Sequence, residues 1–303
     1  MRRVALYPLV ALFSAVWSSA FVAGKIGTES LDPFSLLAWR FGVTALALLP
    51  AACVRGGLFE AGAVRAGAVL GLCYNAAYLG LTFSALRFMS ATVVILIVGL
   101  APFVTALISA ATGRERLSPA TVAGMLLGFG GVAAIALGQP MTRVTGLGVG
   151  LAALGTLAFC LGTVFYRGRA GAVEVLGLTF WQSVTGCAAL LPLSLAFGRP
   201  GAIFGQPEAA WAVAYLALAV GVGGMGLWFF LIRVSGASAA SAYHLLNPVF
   251  ALLFSHLAFG AAVTARDVAG VGLICLGLAM VRPQAVRAGN RASGGRDIRD
   301  DSG

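Results

Sequence analysis

Charge is what this chain has least of. Only 10% of its 303 residues are charged, against about 25% in a soluble domain, too few to cover a water-facing surface of that size. Acidic residues are scarcer still, 10 in all, and none lies inside a long apolar run; Glu115 and Asp267 stand only at run ends. The five cysteines, Cys53, Cys73, Cys160, Cys187 and Cys275, are scattered singly, with no C-x-x-C and no His/Cys spacing suited to a metal. They read as small apolar residues. No Walker sequence occurs, which excludes ATP hydrolysis by a P-loop. No basic patch with interleaved aromatics occurs, so the net charge of +10 does not point to nucleic acid.

What is present is hydrophobicity, 60% of the residues. A membrane span needs about 20 mostly apolar residues. The breaks between runs place ten spans at 5–24, 34–54, 66–86, 90–111, 120–138, 146–166, 175–197, 209–232, 238–259 and 267–281. Helix is the only plausible spanning form, because no stretch alternates polar and apolar as a barrel strand must. The start, Met1-Arg2-Arg3 before an apolar run, imitates a secretory signal, but the spans that follow make it an uncleaved first helix. Residues 283–303 are expected to be a polar, disordered tail. With the N-terminus in the cytoplasm, 14 basic residues fall on that side and 5 on the other, with Arg40 inside a span. The positive-inside rule therefore predicts both termini in the cytoplasm of a multi-pass protein of the cell membrane.

The two halves resemble each other. At a shift of 142 residues Trp39-Arg40 meets Trp181-Gln182 and Leu49-Pro50 meets Leu191-Pro192; at 146, Pro102 meets Pro248 and Gly131 meets Gly277. The expected fold is an all-α integral membrane protein of ten transmembrane helices, built as two inverted five-helix repeats over 1–138 and 146–282 with a linker at 139–145. An odd number of spans per repeat forces the second into the opposite orientation, a recurring design of secondary transporters.

Several motifs make the chain resemble the drug/metabolite transporter superfamily in its EamA-type branch. They are Trp17 to Lys25 in the first span, Arg40-Phe41 in the second, Ala91 and Pro102 in the fourth, Glu115-Arg116-Leu117 closing it, Gly124 to Gly131 in the fifth, and Asn247-Pro248-Val249-Phe250 in the ninth. The resemblance implies a central cavity between the halves and export of amino acids, related metabolites or drugs, driven by an ion gradient, without a cofactor. The family's acidic residue after the fourth span stands here as Glu115; its second-half counterpart is Ala261. The partners expected are a small-molecule substrate and the lipid bilayer, with protons a candidate coupling ion, a homodimer left open and no nucleic acid. A channel-like pore and an intramembrane enzyme stay open as alternatives, although no glycine-flanked nucleophile accompanies Ser238 or His244.

Candidate substrate-binding residues are the polar and aromatic groups within spans: Trp17, Phe21, Arg40, Asn75, Tyr78, Trp181, Gln182, Tyr243, His244 and Asn247. Arg40 either faces a cavity, where its planar fork suits a carboxylate, or snorkels to the nearby membrane edge. His244 either relays a proton or is a satisfied structural histidine. Asn247 either bonds between helices or merely accompanies a kink at Pro248. Each aromatic residue is open to a packing or interfacial role. Gly221 to Gly226 matches G-x-G-x-x-G, but inside an apolar helix it marks close packing or a local break, not a nucleotide site.

Overall fold

The computed structural model describes residues 6–55, 58–115, 117–138, 144–260 and 262–281. The side chains of Phe21, Arg55, Ala91, Thr92, Ser255, Ala258 and Phe259 are outside that description, and so are Arg116, Arg143, Ala261 and the tail. Among the described residues the regular structure is helical: α1 Tyr7–Ser30, α2 Pro33–Arg55, α3 Ala61–Ala85, α4 as two pieces (Ala91–Val98 and Ala101–Ala111), α5 Pro119–Ala136, α6 Gly146–Arg167, α7 Val175–Phe197, α8 Pro207–Ser235, α9 Ala237–Phe259 in pieces, and α10 Ala265–Met280. Nine of the ten are long and apolar enough to cross a membrane; α10, at 16 residues, is the short one. α1 runs to Ser30, six residues beyond its predicted end, and α3 begins at Ala61 instead of residue 66. α1 continues past the apolar stretch because polar residues at a membrane boundary stay helical when the backbone has no better partner for its hydrogen bonds; the added turn of α3, Ala61 to Val64, is itself apolar and precedes Arg65.

Short connections make consecutive helices alternate in direction. The face where α1 begins is here called face A, and the opposite one face B. α5 and α10 pack along their lengths through glycine. A methyl group at Gly131 would stand 2.5 Å from Gly270 O and 2.8 Å from Ile274 Cγ1. A methyl at Gly277 would meet Gly124 O and Gly128 N, each at 2.5 Å. Gly124 and Gly270 are repeat counterparts, and so are Gly131 and Gly277. Each glycine therefore touches the counterpart of the other, early residues against late ones. That is the contact pattern of an antiparallel pair across a two-fold axis, and it makes the two repeats inverted. Gly131→Leu should fail here: its side chain has carbonyl oxygen and backbone on its path, and overpacking costs about 1–3 kcal/mol or more. The expected result is loss of the monodisperse species on size exclusion in detergent, whereas Gly130→Ala, in open space, should elute as the parent does.

Helix starts repeat as well. Ser118 caps α5 and Thr264 caps α10, the latter in a full capping box with Asp267. Glu174 caps α7 through Gly177 N at 2.7 Å, and Asp32 stands at the same place before α2, accepting from Ser35 N at 3.0 Å, Ser35 Oγ at 2.5 Å and Arg199 N at 3.0 Å. Burial pushes the Asp32 carboxyl up, but the bonds from Ser35, Arg199 and Phe34 outweigh it and hold the group below its usual range. α2 starts at Pro33 and is continuous through Pro50 to Arg55.

Other helices are interrupted, and in matching places. α3 widens to a π-helix over Gly71–Leu79 and α8 does so over Leu216–Gly224, 145 residues on. α4 breaks at Gly99-Leu100, just before Pro102. α9 passes from Ala237–Tyr243 through a 3-10 turn, His244–Leu246, into Asn247–Phe259, just before Pro248. Proline has no N–H to give and its ring crowds the preceding turn. α1 hydroxyls meet backbone carbonyls along this region: Ser14 Oγ donates to Tyr243 O at 3.4 Å and Ser18 Oγ to Asn247 O at 2.9 Å. Both π segments are glycine-bearing, and at Gly221 a methyl would meet Thr44 Oγ1 at 2.5 Å; close packing and a non-α backbone thus coincide at the glycine-rich motif.

Candidate functional site

The broken turn of α9 lies among aromatic rings from three other helices. The His244 imidazole stands 4.7 Å from Trp228, 5.0 Å from Phe13, 5.1 Å from Trp17 and 5.3 Å from Phe159, centroid to centroid, meeting most of them edge-on. Tyr78 lies 4.9 Å from Phe159, and Trp228 Nε1 donates to Tyr74 OH at 3.3 Å, which pairs with Thr163 Oγ1 at 3.0 Å. Phe13 and Trp228 are fully buried, whereas Trp17, Tyr78, His244 and Asn247 keep part of their surface accessible although they sit mid-span among these rings. His244 Nδ1 and Asn247 Nδ2 are 2.9 Å apart. His244 Nε2 and Asn247 Oδ1 are buried and have no hydrogen-bond partner among the described residues.

The structure thus brings together Trp17, Tyr78, His244 and Asn247. It places the other candidates elsewhere. Asn75 and Gln182 form a buried pair between α3 and α7: Asn75 Nδ2 donates to Gln182 O at 3.0 Å and Gln182 Nε2 to Asn75 Oδ1 at 3.1 Å, leaving Gln182 Oε1 unmatched. Trp181 sits near face A, donating to Leu58 O at 2.7 Å beside Phe59. Tyr243 follows the same chain as His244, but its hydroxyl donates to Ser235 Oγ at 3.0 Å. The Phe21 side chain lies outside the described residues.

Arg40 is buried, 8% exposed. Trp39 turns to another helix face and donates to Pro200 O at 2.8 Å, whereas Phe41, which packs with Leu190, lies under the guanidinium, its ring centroid 5.3 Å from Arg40 Cζ. Its depth follows from α7. Gly42 faces Cys187 and Gly80 faces Leu190, so Arg40 lies level with Tyr78; Gly27 faces Leu36 while Ser18 meets Asn247, which sets Arg40 on the face B side of His244. Among the described residues it has no carboxylate partner, and its Nε is buried without a hydrogen bond.

Two groupings had no counterpart among the sequence candidates. Phe13 and Phe159 complete the aromatic shell, and nothing in the sequence separates them from lipid-facing phenylalanines. The second is a clasp at face A. The Glu115 carboxylate accepts from Ala237 N at 2.5 Å and Ser238 N at 3.1 Å, and lies 3.8 Å from Arg167 Nε, both side chains nearly inaccessible. Arg167 Nη1 also donates to Ile232 O and Arg233 O, at 2.9 Å each, and Arg114 donates to Val164 O. The clasp therefore joins the end of α4 in the first repeat to α6 and to the α8–α9 junction in the second, where Gly236 takes φ +91°. A separate apolar pocket of about 420 Å³ lies between α1, α8 and α9 towards face B, lined by Val22, Ile26, Tyr215, Phe254 and Leu257 among others.

Two inverted five-helix repeats, each with the same helices interrupted, around a polar turn shelled by aromatic rings define a multi-pass membrane transporter. The chain belongs to the EamA-like transporter family, whose model matches residues 5–137 and 146–282, and so to the drug/metabolite transporter superfamily. It is similar to the uncharacterized transporter YyaM of Bacillus subtilis (strain 168), 26% identical over 287 residues, covering 92% of this chain and 93% of that protein. An uncharacterized transporter of Archaeoglobus fulgidus is likewise 26% identical over 275 residues, covering 90% of this chain and 97% of that one. A solved crystal structure shares the fold at a TM-score of 0.79 and 22% identity, covering 92% of this chain and 96% of its own.

Proposed function

We propose that this protein is a secondary active transporter of the cell membrane that exports small metabolites, such as amino acids, related compounds or drugs, by alternating access of its two inverted repeats. The observation that carries this reading is the matched interruption of α3 with α8 and of α4 with α9. Irregular backbone at membrane depth is tolerated where it is buried in protein or lines a cavity, and in inverted-repeat transporters broken helices form the substrate site at the repeat interface. The aromatic shell supplies apolar contact, His244 and Asn247 supply polar recognition, and Arg40, one step towards face B, supplies an uncompensated positive charge for a carboxylate.

Orientation follows from charge. Arg55, Arg65, Arg114, Arg167, Arg169 and Arg233 lie towards face A, and Lys25, Arg87, Arg199 and Arg266 towards face B. The positive-inside rule makes face A cytoplasmic, so the Glu115–Arg167 clasp closes the cytoplasmic side in this conformation. His244 is the proton carrier on this reading, since no carboxylate among the described residues lies mid-span.

The test is a flux screen with purified protein in liposomes under an imposed pH gradient, across labelled amino acids, aromatic acids and amines. Saturable flux that collapses with a protonophore, and loses its pH dependence in His244→Asn, is expected. Flux that never saturates and ignores the gradient would make the protein a pore. A reporter fused after Arg169 should read cytoplasmic, and an external signal from one placed after Arg282 would overturn the orientation.

A further inference from the structure

The His244–Asn247 pair has a property beyond carrying a proton. Each residue offers one polar atom to the other and one to the interior: Nδ1 and Nδ2 face each other at 2.9 Å, while Nε2 and Oδ1 are buried with no partner. With Asn247 Nδ2 donating, Nδ1 must be the bare nitrogen of a neutral ring and the ring proton sits on Nε2. The interior then meets one donor, Nε2–H, and one acceptor, Oδ1. Rotating the amide by a half-turn exchanges the roles: Nδ1–H donates to Oδ1, Nε2 becomes the acceptor and the amide NH₂ the donor. Either way the neutral pair presents one donor and one acceptor.

Protonation removes that choice. Both ring nitrogens then carry hydrogen, and Nδ1–H can bond only to Oδ1, so the amide must hold its oxygen towards the ring. The interior now meets two donors, Nε2–H and NH₂, on a cationic ring. We infer that His244 and Asn247 form a proton-set polarity switch in the substrate site, which accepts a neutral amide-like group when the imidazole is neutral and a carboxylate when it is protonated. This rests on the transport reading above and adds to it the chemical class that each protonation state selects.

The surroundings suit such a switch. The elements packed against the turn are α1, α5, α6, α8 and α10, besides the rest of α9. At this depth the titratable groups on them are Cys160, the exposed Cys275 on α10 and, one contact further off, Tyr74 and Tyr78; Tyr243, the preceding residue, is engaged with Ser235. The charged Glu29, Arg167, Glu208, Arg233, Arg266 and Asp267 on those helices lie in their end turns, and Lys25 one turn further in, near the face B end of α1. Among the described residues no carboxylate is therefore positioned to fix the charge of the imidazole, and a bound anion is what would fix it. Four rings stand 4.7 to 5.3 Å from His244, and His244 Nε2 and Asn247 Oδ1 are the polar atoms of the pair left unmatched among them.

The probes are benzoate and benzamide, one flat ring bearing either two acceptors and a negative charge or one acceptor and one donor. The protein, with its two histidines, is titrated in nanodiscs by imidazole ¹⁵N NMR, with the signal missing from His244→Asn assigning the resonance and His256→Gln serving as a single-histidine background if that variant does not fold. Benzoate should raise the midpoint of the His244 titration by about one unit or more and benzamide should lower it, one unit corresponding to a tenfold ratio of affinities for the two protonation states. Asn247→Leu, which keeps the ring and deletes the amide, should abolish the opposition between the probes. Shifts in the same direction, no shifts, or no binding of either probe would overturn the switch. Proton-driven flux measured on the same protein separates the two readings. Intact flux without opposed shifts leaves the transporter and removes the switch, whereas opposed shifts without flux do the reverse.

Discussion

Replacing Glu115 by alanine should lower the stability of the folded protein by about 3–5 kcal/mol, the usual cost of deleting one partner of a buried ion pair. The size follows from what is left behind. Ala237 and Ser238 lose the acceptor for their N–H groups, and Arg167 keeps two carbonyls but loses its counter-charge. Glu115→Gln keeps an acceptor for only one of those N–H groups, which bond to different carboxylate oxygens, and loses the charge, so it should fall between the parent and alanine. The loss should also be directional. In a background with the five native cysteines replaced, a cysteine in place of the buried Ser238 should react slowly with a water-soluble maleimide, and much faster when Glu115 is alanine. An alanine variant that melts with the parent, or an unchanged labelling rate, would show that the clasp does not hold face A shut.

Arg40 carries the second large effect, and here stability and function should move in opposite directions. The guanidinium is buried, lacks a carboxylate among the described residues and leaves Nε without a hydrogen bond. Such a group costs the empty protein free energy. Arg40→Met, of similar length and apolar, should therefore raise the melting temperature. It should also raise the half-saturation concentration for an acidic or zwitterionic cargo by about tenfold or more, since a hydrogen bond to a charged group contributes about 1.5–3 kcal/mol. Arg40→Gln, which copies the second repeat, should weaken transport comparably. Arg40→Lys, with charge but no fork, should weaken it less. If all three variants transport acidic cargo normally, the cargo's carboxylate is held elsewhere.

Much of this fold was legible in the sequence because membrane helices advertise themselves. Every backbone polar group must be satisfied within the helix, so runs of about 20 apolar residues between short polar breaks leave little choice of structure. The repeat was legible in residues with a geometric job. Gly131 and Gly277 sit where backbone meets backbone, and Pro102 and Pro248 where a helix breaks. The π form of α3 and α8 was not legible, although the glycine run Gly221 to Gly226 had marked a local break as one reading of α8. A π turn differs from an α turn by one hydrogen-bond register and carries no periodic signature, and Gly71 and Gly221 resemble any packing glycine.

The candidate site was legible by residue type and not by direction. His244, Asn247, Trp17 and Tyr78 converge because α9 breaks at Pro248 and α3 changes pitch near Asn75. Trp181 and Tyr243, equally eligible by composition, point to Leu58 O and Ser235 instead. Which way a side chain faces depends on helix rotation, which α1, α7 and α8 fix through contacts hundreds of residues apart in sequence. The clasp was half legible. Glu115 stood out as an acid at a span end, but its partners on α6 and α9 follow only from the three-dimensional packing.

The central claim, that the two repeats expose one site alternately to the two faces, is tested most directly by counterflow. Liposomes containing the purified protein are loaded with a high concentration of the best unlabelled compound from the flux screen, and diluted into a trace of the same compound carrying a label, with no ion gradient. A carrier that must return its site loaded exchanges outward-moving unlabelled molecules for inward-moving labelled ones. The account predicts a transient internal accumulation of label above the external concentration, abolished by Glu115→Ala if that variant holds the site open to one face. Label that only equilibrates, without overshoot, would mean a continuous pathway through the protein and would contradict alternating access.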